Sequence, residues 1–150
     1  YDCIPLVEDR VLCILPKDHP FADLPVFPLK EIEKEPFISL LEESAHDMRH
    51  ALENTGVKPH IKFTTKDDYA IIAMVEQGLG ISIMPELVIR DRTRDICVKE
   101  LENYPRRVIG LALPSAETPS PAVLQFIAYI KKWILQNVPA GVLVKEESAE

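Results

Sequence analysis

Ser44 is the residue of this 150-residue chain whose type and setting best suit chemistry. With Asp47 it makes the S/T-x-x-D/E spacing of a capping box, so a helix is expected over residues 45–55. The first amide groups of such a helix lack internal partners, and its positive dipole end points the same way, which makes a place for an anion. A carboxylate is the natural guest. Leu40, Leu41 and Glu42 leave the strand-type segment before this helix, and Ala45 and His46 open the helix itself. Thr64 and Thr65 end another strand-type segment and offer hydroxyls, while Leu79 and Gly80 follow the next helical stretch. These residues are expected to line one crevice, because loops leaving strand ends gather there in open α/β sheets. Capping alone is the plainer role for Ser44.

Other reactive side chains carry less. His46 and His50 are four apart, the spacing that sets two imidazoles on one helix face for zinc. No third ligand is evident, and solvated helix residues, or a ligand contact by His46, fit better. His19, between Asp18 and Pro20, reads as a hydrogen-bonded structural histidine. Cys3 and Cys13 lie in or beside an apolar strand, where buried inert thiols are the usual case. Glu42 and Glu43 at a helix entry are expected to be solvated or dipole-stabilising rather than acid catalysts. No nucleophile, base and orienting group assemble, so no catalytic residue, metal or cofactor is expected.

The element that must position these groups is Tyr69 to Pro85, YAIIAMVEQGLGISIMP. Ile71, Ile72, Val75 and Leu79 recur at helical spacing, then Ile81 to Met84 runs apolar in strand fashion. Thr65 and Asp68 form a second capping box, placing the helix start near Lys66 or Asp67. Gly78 suits the positive φ that ends a helix, and Gly80 lets the chain turn again. With Ile61 to Thr64 leading in, this is a strand-helix-strand unit of a parallel sheet. The same rhythm precedes it at 37–41, 45–55 and 61–64, where Ala45, Met48 and Leu52 make the apolar stripe and Gly56 the stop. Val11 to Leu15 reads as a strand covered on both faces. The proline-rich PKDHPFADLP is an ordered loop, and Pro28 opens a short helix over 28–34. Strands follow near 96–101 and 107–113. Ser120 caps a final helix with Pro121 in its first turn, and Val123, Leu124, Phe126, Ile127, Ile130 and Ile134 form its apolar face. The tail from Pro139 is expected to be disordered.

Composition narrows the class. A hydrophobic content of 47% supports a real core. No 18-residue apolar run exists, so no membrane span is expected. A net charge of −7 argues against these residues gripping a nucleic-acid backbone. Three cysteines, without close metal spacing, fit reduced thiols in a cytoplasmic protein. The start at Tyr1 suggests a piece of a longer chain.

IPLVEDRVLCILPKDHPFA, PFISL, AMVEQGLGISIMPEL, IGLAL and SPAVLQFIAYI together resemble the effector-binding domain of LysR-type transcriptional regulators, over roughly residues 4–135. LPKDHP at 15–20 and Val75 to Pro85 are the most specific parts. The resemblance implies an α/β, type 2 periplasmic-binding-protein-like fold: one complete lobe with crossing strands and a returning helix of the other. Residues 1–15 would then bring a crossing strand from lobe one, and 16–106 would be the effector-binding lobe two. Residues 107–138 would be the second crossing strand and C-terminal helix, with a tail at 139–150. It further implies that the winged helix and first half of lobe one are missing, so DNA is reached only through an absent N-terminal domain. The apolar face of the helix over 120–136 would be covered by another copy or by those missing residues. A small effector such as a carboxylate would bind between lobes of a homodimer or tetramer. The alternatives are a transporter's solute-binding protein with the same fold, which would need a leader peptide, and an enzyme, for which no catalytic set exists.

Overall fold

The computed structural model describes residues 1–41, 45–90, 95–114 and 119–138. It divides into two compact units, the larger formed by Arg10–Arg106 and the smaller by Tyr1–Asp9 with the described residues from Arg107 onward. The first division falls inside a strand, whereas the sequence reading placed it after residue 15.

β1 (Asp2–Pro16) is the longest strand, and its second half belongs to the larger unit. Val11, Cys13 and Leu15 enter one core with Phe27, Phe37 and Leu101; Leu12 and Ile14 enter another with Ile38, Ile71 and Val75. Alternate residues of a strand point to opposite faces, so five consecutive apolar residues mean that both faces are covered.

β1 pairs antiparallel with β5 (Ser82–Pro85) on one side and β6 (Ile96–Leu101) on the other, and β2 (Val26–Phe27) adds parallel to β6. β3 (Pro36–Leu40) and β4 (His60–Thr65) pair in parallel. A bridge between Phe37 and Ile81 joins the two sets: Ile81 N–H donates to Pro36 O at 2.9 Å, and Ile38 N–H to Ile81 O at 2.9 Å. Ser82 Oγ donates to Ile38 O at 2.7 Å across the same seam. The order is therefore β4-β3-β5-β1-β6-β2. α1 (His46–Leu52) packs into the first core and α2 (Asp68–Glu76) into the second, one helix to each face. A one-turn α3 (Glu86–Ile89) follows β5 and buries Ile89.

Several expectations are corrected. α2 is capped by Asp67, whose carboxylate accepts from Tyr69 N–H at 2.8 Å, and not by the Thr65–Asp68 box. Thr65 Oγ1 instead accepts from Asp67 N–H, 3.2 Å away, and braces the turn before the helix. α1 stops at Leu52, short of residue 55, because Asn54 takes a φ of 61° and Gly56 one of 74°. Pro28 lies just before a 3-10 helix over Leu29–Glu33 rather than inside it. Leu79 is exposed and leaves the stripe of α2.

Gly78, with a φ of 71°, ends α2 as expected. Its N–H donates to Val75 O and that of Leu79 to Met74 O, the double bond of a Schellman turn. Gly80 has a different purpose from the turn foreseen for it: a Cβ there would strike the Pro36 carbonyl that Ile81 needs.

In the smaller unit β7 (Arg106–Leu113) pairs with β1, and buried Asp9 accepts from Arg107 Nε at 2.8 Å. α4 (Pro121–Asn137) is capped by Ser120, whose Oγ accepts from Val123 N–H. Its inward stripe is Val123, Ile127, Ile130 and Ile134. Leu124 and Phe126 stand more than half exposed, alongside Tyr129 and Trp133.

Gly80→Ala is expected to cost about 1–3 kcal/mol by forcing backbone apart at the seam. Gly78→Ala should cost roughly 1–2 kcal/mol through its positive φ alone. Urea unfolding measures both, and a Gly80→Ala variant as stable as the parent would refute the close-approach account.

Candidate functional site

The parallel bridge sets the carboxyl ends of β3, β4 and β5 along one edge of the sheet. There Leu40 lies opposite Thr65, and Leu41 N–H donates to Thr65 O at 2.9 Å. Thr64, opposite Ser39, is exposed; Thr65 is half-buried. So Leu40, Leu41, Thr64 and Thr65 are brought together as a rim.

Ala45 and His46 follow the same strand end. Ala45 is buried and occupies the N-cap position of α1 without a side-chain acceptor, while His46 is exposed in the first turn. Glu42 and Ser44 lie outside the described residues. α1 is only seven residues long, so its dipole is a weaker attraction than a helix over 45–55 would give.

Leu79 and Gly80 do not join the rim, which corrects the expectation of one shared crevice. Gly80 and Ile81 meet Pro36, the first residue of β3, whereas Leu40 is its last. At about 3.3 Å per residue the two groups are roughly 13 Å apart along the strand.

Elsewhere, His19 is structural. Its Nδ1 accepts from Phe21 N–H at 3.2 Å, its Nε2 lies 3.5 Å from Glu35, and its ring packs near Phe21 and Phe27. Cys13 is buried, and burial pushes its thiol well above the usual range; Cys3 is exposed, against expectation, because the first half of β1 is largely exposed. Among the described residues no group of three or more His, Cys, Asp or Glu is placed to hold a metal, and none of the described helices is long and apolar enough to cross a membrane.

The chain matches the family model described as the LysR substrate binding domain over residues 1–134. It belongs to that family. YybE of Bacillus subtilis (strain 168), described as an uncharacterized HTH-type transcriptional regulator, is 30% identical over 129 residues, covering 85% of this chain and 44% of that protein. The chain spans less than half the length of that relative. Among solved structures, the Synechocystis PCC6803 CcmR regulatory domain in complex with 2-PG aligns with a TM-score of 0.79 at 18% identity, covering 93% of this chain and 69% of that one. The effector-binding domain of QuiR in complex with shikimate aligns with a TM-score of 0.74 at 21% identity, covering 91% and 66%. The fold of this LysR domain is accordingly periplasmic-binding-protein-like α/β, in line with the resemblance in the sequence.

One polar feature of this LysR domain escaped the sequence reading. Arg10 Nε donates to Glu86 Oε2 at 2.7 Å and Nη1 to Glu100 Oε1 at 2.8 Å, and Arg106 Nη1 reaches Glu100 Oε2 at 3.3 Å. These residues are 76 to 90 positions apart from Arg10 along the chain in the first two pairs, so no local spacing reveals them. The hydrogen bond from Arg10 holds the Glu86 carboxyl below its ordinary 4.5, helped by the charges of Arg10, Arg90 and Arg106 against the opposing effect of burial. A depressed carboxylate adds stability that is present above its unfolded-state pKa and is lost as pH falls through the folded-state value. Glu86→Gln should therefore flatten the acid limb of stability against pH below 4.5. Urea midpoints from pH 7 to pH 3 that fall equally in parent and variant would show that the pair contributes nothing.

Proposed function

We propose that the chain is the effector-sensing part of a cytoplasmic LysR-type transcription regulator, without catalytic activity, and that it takes a small anionic metabolite at the carboxyl ends of β3 and β4. The observation that carries this reading is the meeting of Leu40 and Leu41 with Thr64 and Thr65 at one rim. Strand-end rims are where open α/β folds take ligands. Thr65 accepts from Asp67 N–H and so keeps its hydroxyl hydrogen to give. Thr64, the Ser44 hydroxyl and the first amides of α1 add donors, which suits an acidic guest; Glu42 and His46 would then orient its remaining polar groups. That 2-PG and shikimate occupy the domains of CcmR and QuiR supports the small-molecule class.

The regulatory consequence follows from linkage. A ligand that favours one arrangement of a homodimer or tetramer changes the spacing of winged helices on DNA, and only its differential affinity does so. The net charge of −7 suits a domain that leaves the phosphate backbone to another part of the protein. A transporter's solute-binding role rests on the shared fold alone, whereas the relative named above is a regulator.

Thermal-shift titration with a panel of small carboxylates and neutral analogues tests the ligand class. At a hundred times its Kd, a genuine effector stabilises by about 2.7 kcal/mol, a rise of several degrees in Tm. Thr65→Val and Ser44→Ala should each weaken the best acid about tenfold. Hits confined to neutral compounds, or an affinity indifferent to both substitutions, would overturn the anionic site.

A further inference from the structure

A hollow of about 360 Å³ opens over β1 and β6, on the sheet face that carries α2 and α3. Its floor is apolar, built from Leu12, Ile89 and Val98, and its wall carries Arg10, Glu86, Glu100 and Arg90; Lys99 borders it as well, but it alternates with Val98 and Glu100 along β6 and so turns its side chain to the other face of the sheet. That volume is at the small end of natural ligand pockets. It is also separate from the rim at β3 and β4. With strands about 4.8 Å apart, three spacings put it roughly 14 Å away across the sheet, with β5 between them.

The charges in the wall decide what would enter. Glu86 and Glu100 are already held by Arg10, and Glu100 also by Arg106. Arg90 is left over: among the described residues it has no acidic partner at ion-pair distance, although its charge is felt at Glu86. A cation would find two carboxylates already neutralised and three guanidiniums nearby. A neutral apolar molecule would fill the floor and leave Arg90 unanswered. An anion with an apolar body meets both features at once, since a guanidinium binds a carboxylate through charge-assisted, often bidentate hydrogen bonds.

We propose that this hollow is a second small-molecule site, for a monocarboxylate whose charged end is taken by Arg90 and whose apolar body lies on Leu12, Ile89 and Val98. It does not depend on the rim being occupied, and the two sites can fail separately.

The test is titration of 4-fluorobenzoate into the ¹⁵N-labelled chain, followed by fluorine line width and amide shifts. Saturable shifts are expected at Ile89, Arg90 and Val98. Arg90→Gln, a change at an exposed position, should raise Kd at least about tenfold. Lys30→Gln, which removes one exposed cation outside the hollow, should leave Kd as it was. On the unaltered chain, 4-fluorobenzamide should bind at least about tenfold more weakly, so the comparison survives even if the arginine variant misfolds. Shifts confined to residues 40–46 and 64–65, an absence of saturable shifts, equal binding of acid and amide, or an Arg90→Gln affinity equal to the parent's would each overturn the proposal.

Discussion

The fold turns on a narrow seam where Pro36 O accepts from Ile81 N–H and Ile81 O accepts from Ile38 N–H. Without it, the β3–β4 pair and the sheet around β1 have no shared backbone ladder. The seam asks for a backbone with nothing projecting from it at position 80, and glycine is what stands there. Ser82 reinforces it from within the core by giving its hydroxyl to Ile38 O. A buried hydroxyl left unpaired would cost about 1–3 kcal/mol, so this bond matters more for being required than for its own strength. Because the bridge is parallel, it also fixes which strand ends share an edge, and so which loops a ligand could meet together.

Much of this was readable from residues alone. Five apolar residues from Val11 to Leu15 announced a strand buried on both faces; that the two helices lie on opposite faces was not legible, because it depends on β3 standing between β4 and β5. Gly78 foretold the end of α2, and Ser120 with Pro121 the start of α4. What could not be read was any choice between equivalent local solutions. Thr65 and Asp67 are both good caps, and only the turn geometry gives the role to Asp67. Asn54 can take left-handed φ as Gly56 can, and it does so first, which shortens α1.

The site shows the same limit at larger scale. Leu40, Leu41, Thr64 and Thr65 each end a strand, and parallel strands place their ends side by side, so adjacency could be inferred. Leu79 and Gly80 precede a strand. They therefore belong at the opposite edge of the sheet, a distinction that depends on strand direction rather than nearness to a helix. The ionic cluster of Arg10, Glu86, Glu100 and Arg106 was invisible for a simpler reason: it exists only once β1, β5 and β6 lie together.

The β3–β4 ladder slips between Phe37 and Ile38, where Phe37 faces Ile61 but Ile38 faces Phe63. Lys62 is thus a surplus residue, bulged out of the pairing, with its ammonium 5.7 Å from the Phe63 ring. Had the strands zipped without the slip, Lys62 would have been steered toward the interior opposite Ile38 and every later partner displaced by one. The slip absorbs this one extra residue, so that Phe63 pairs with Ile38 and the threonines with Ser39 and Leu40. One bulged residue thus sets the phase in which every later side chain of the strand meets its neighbour.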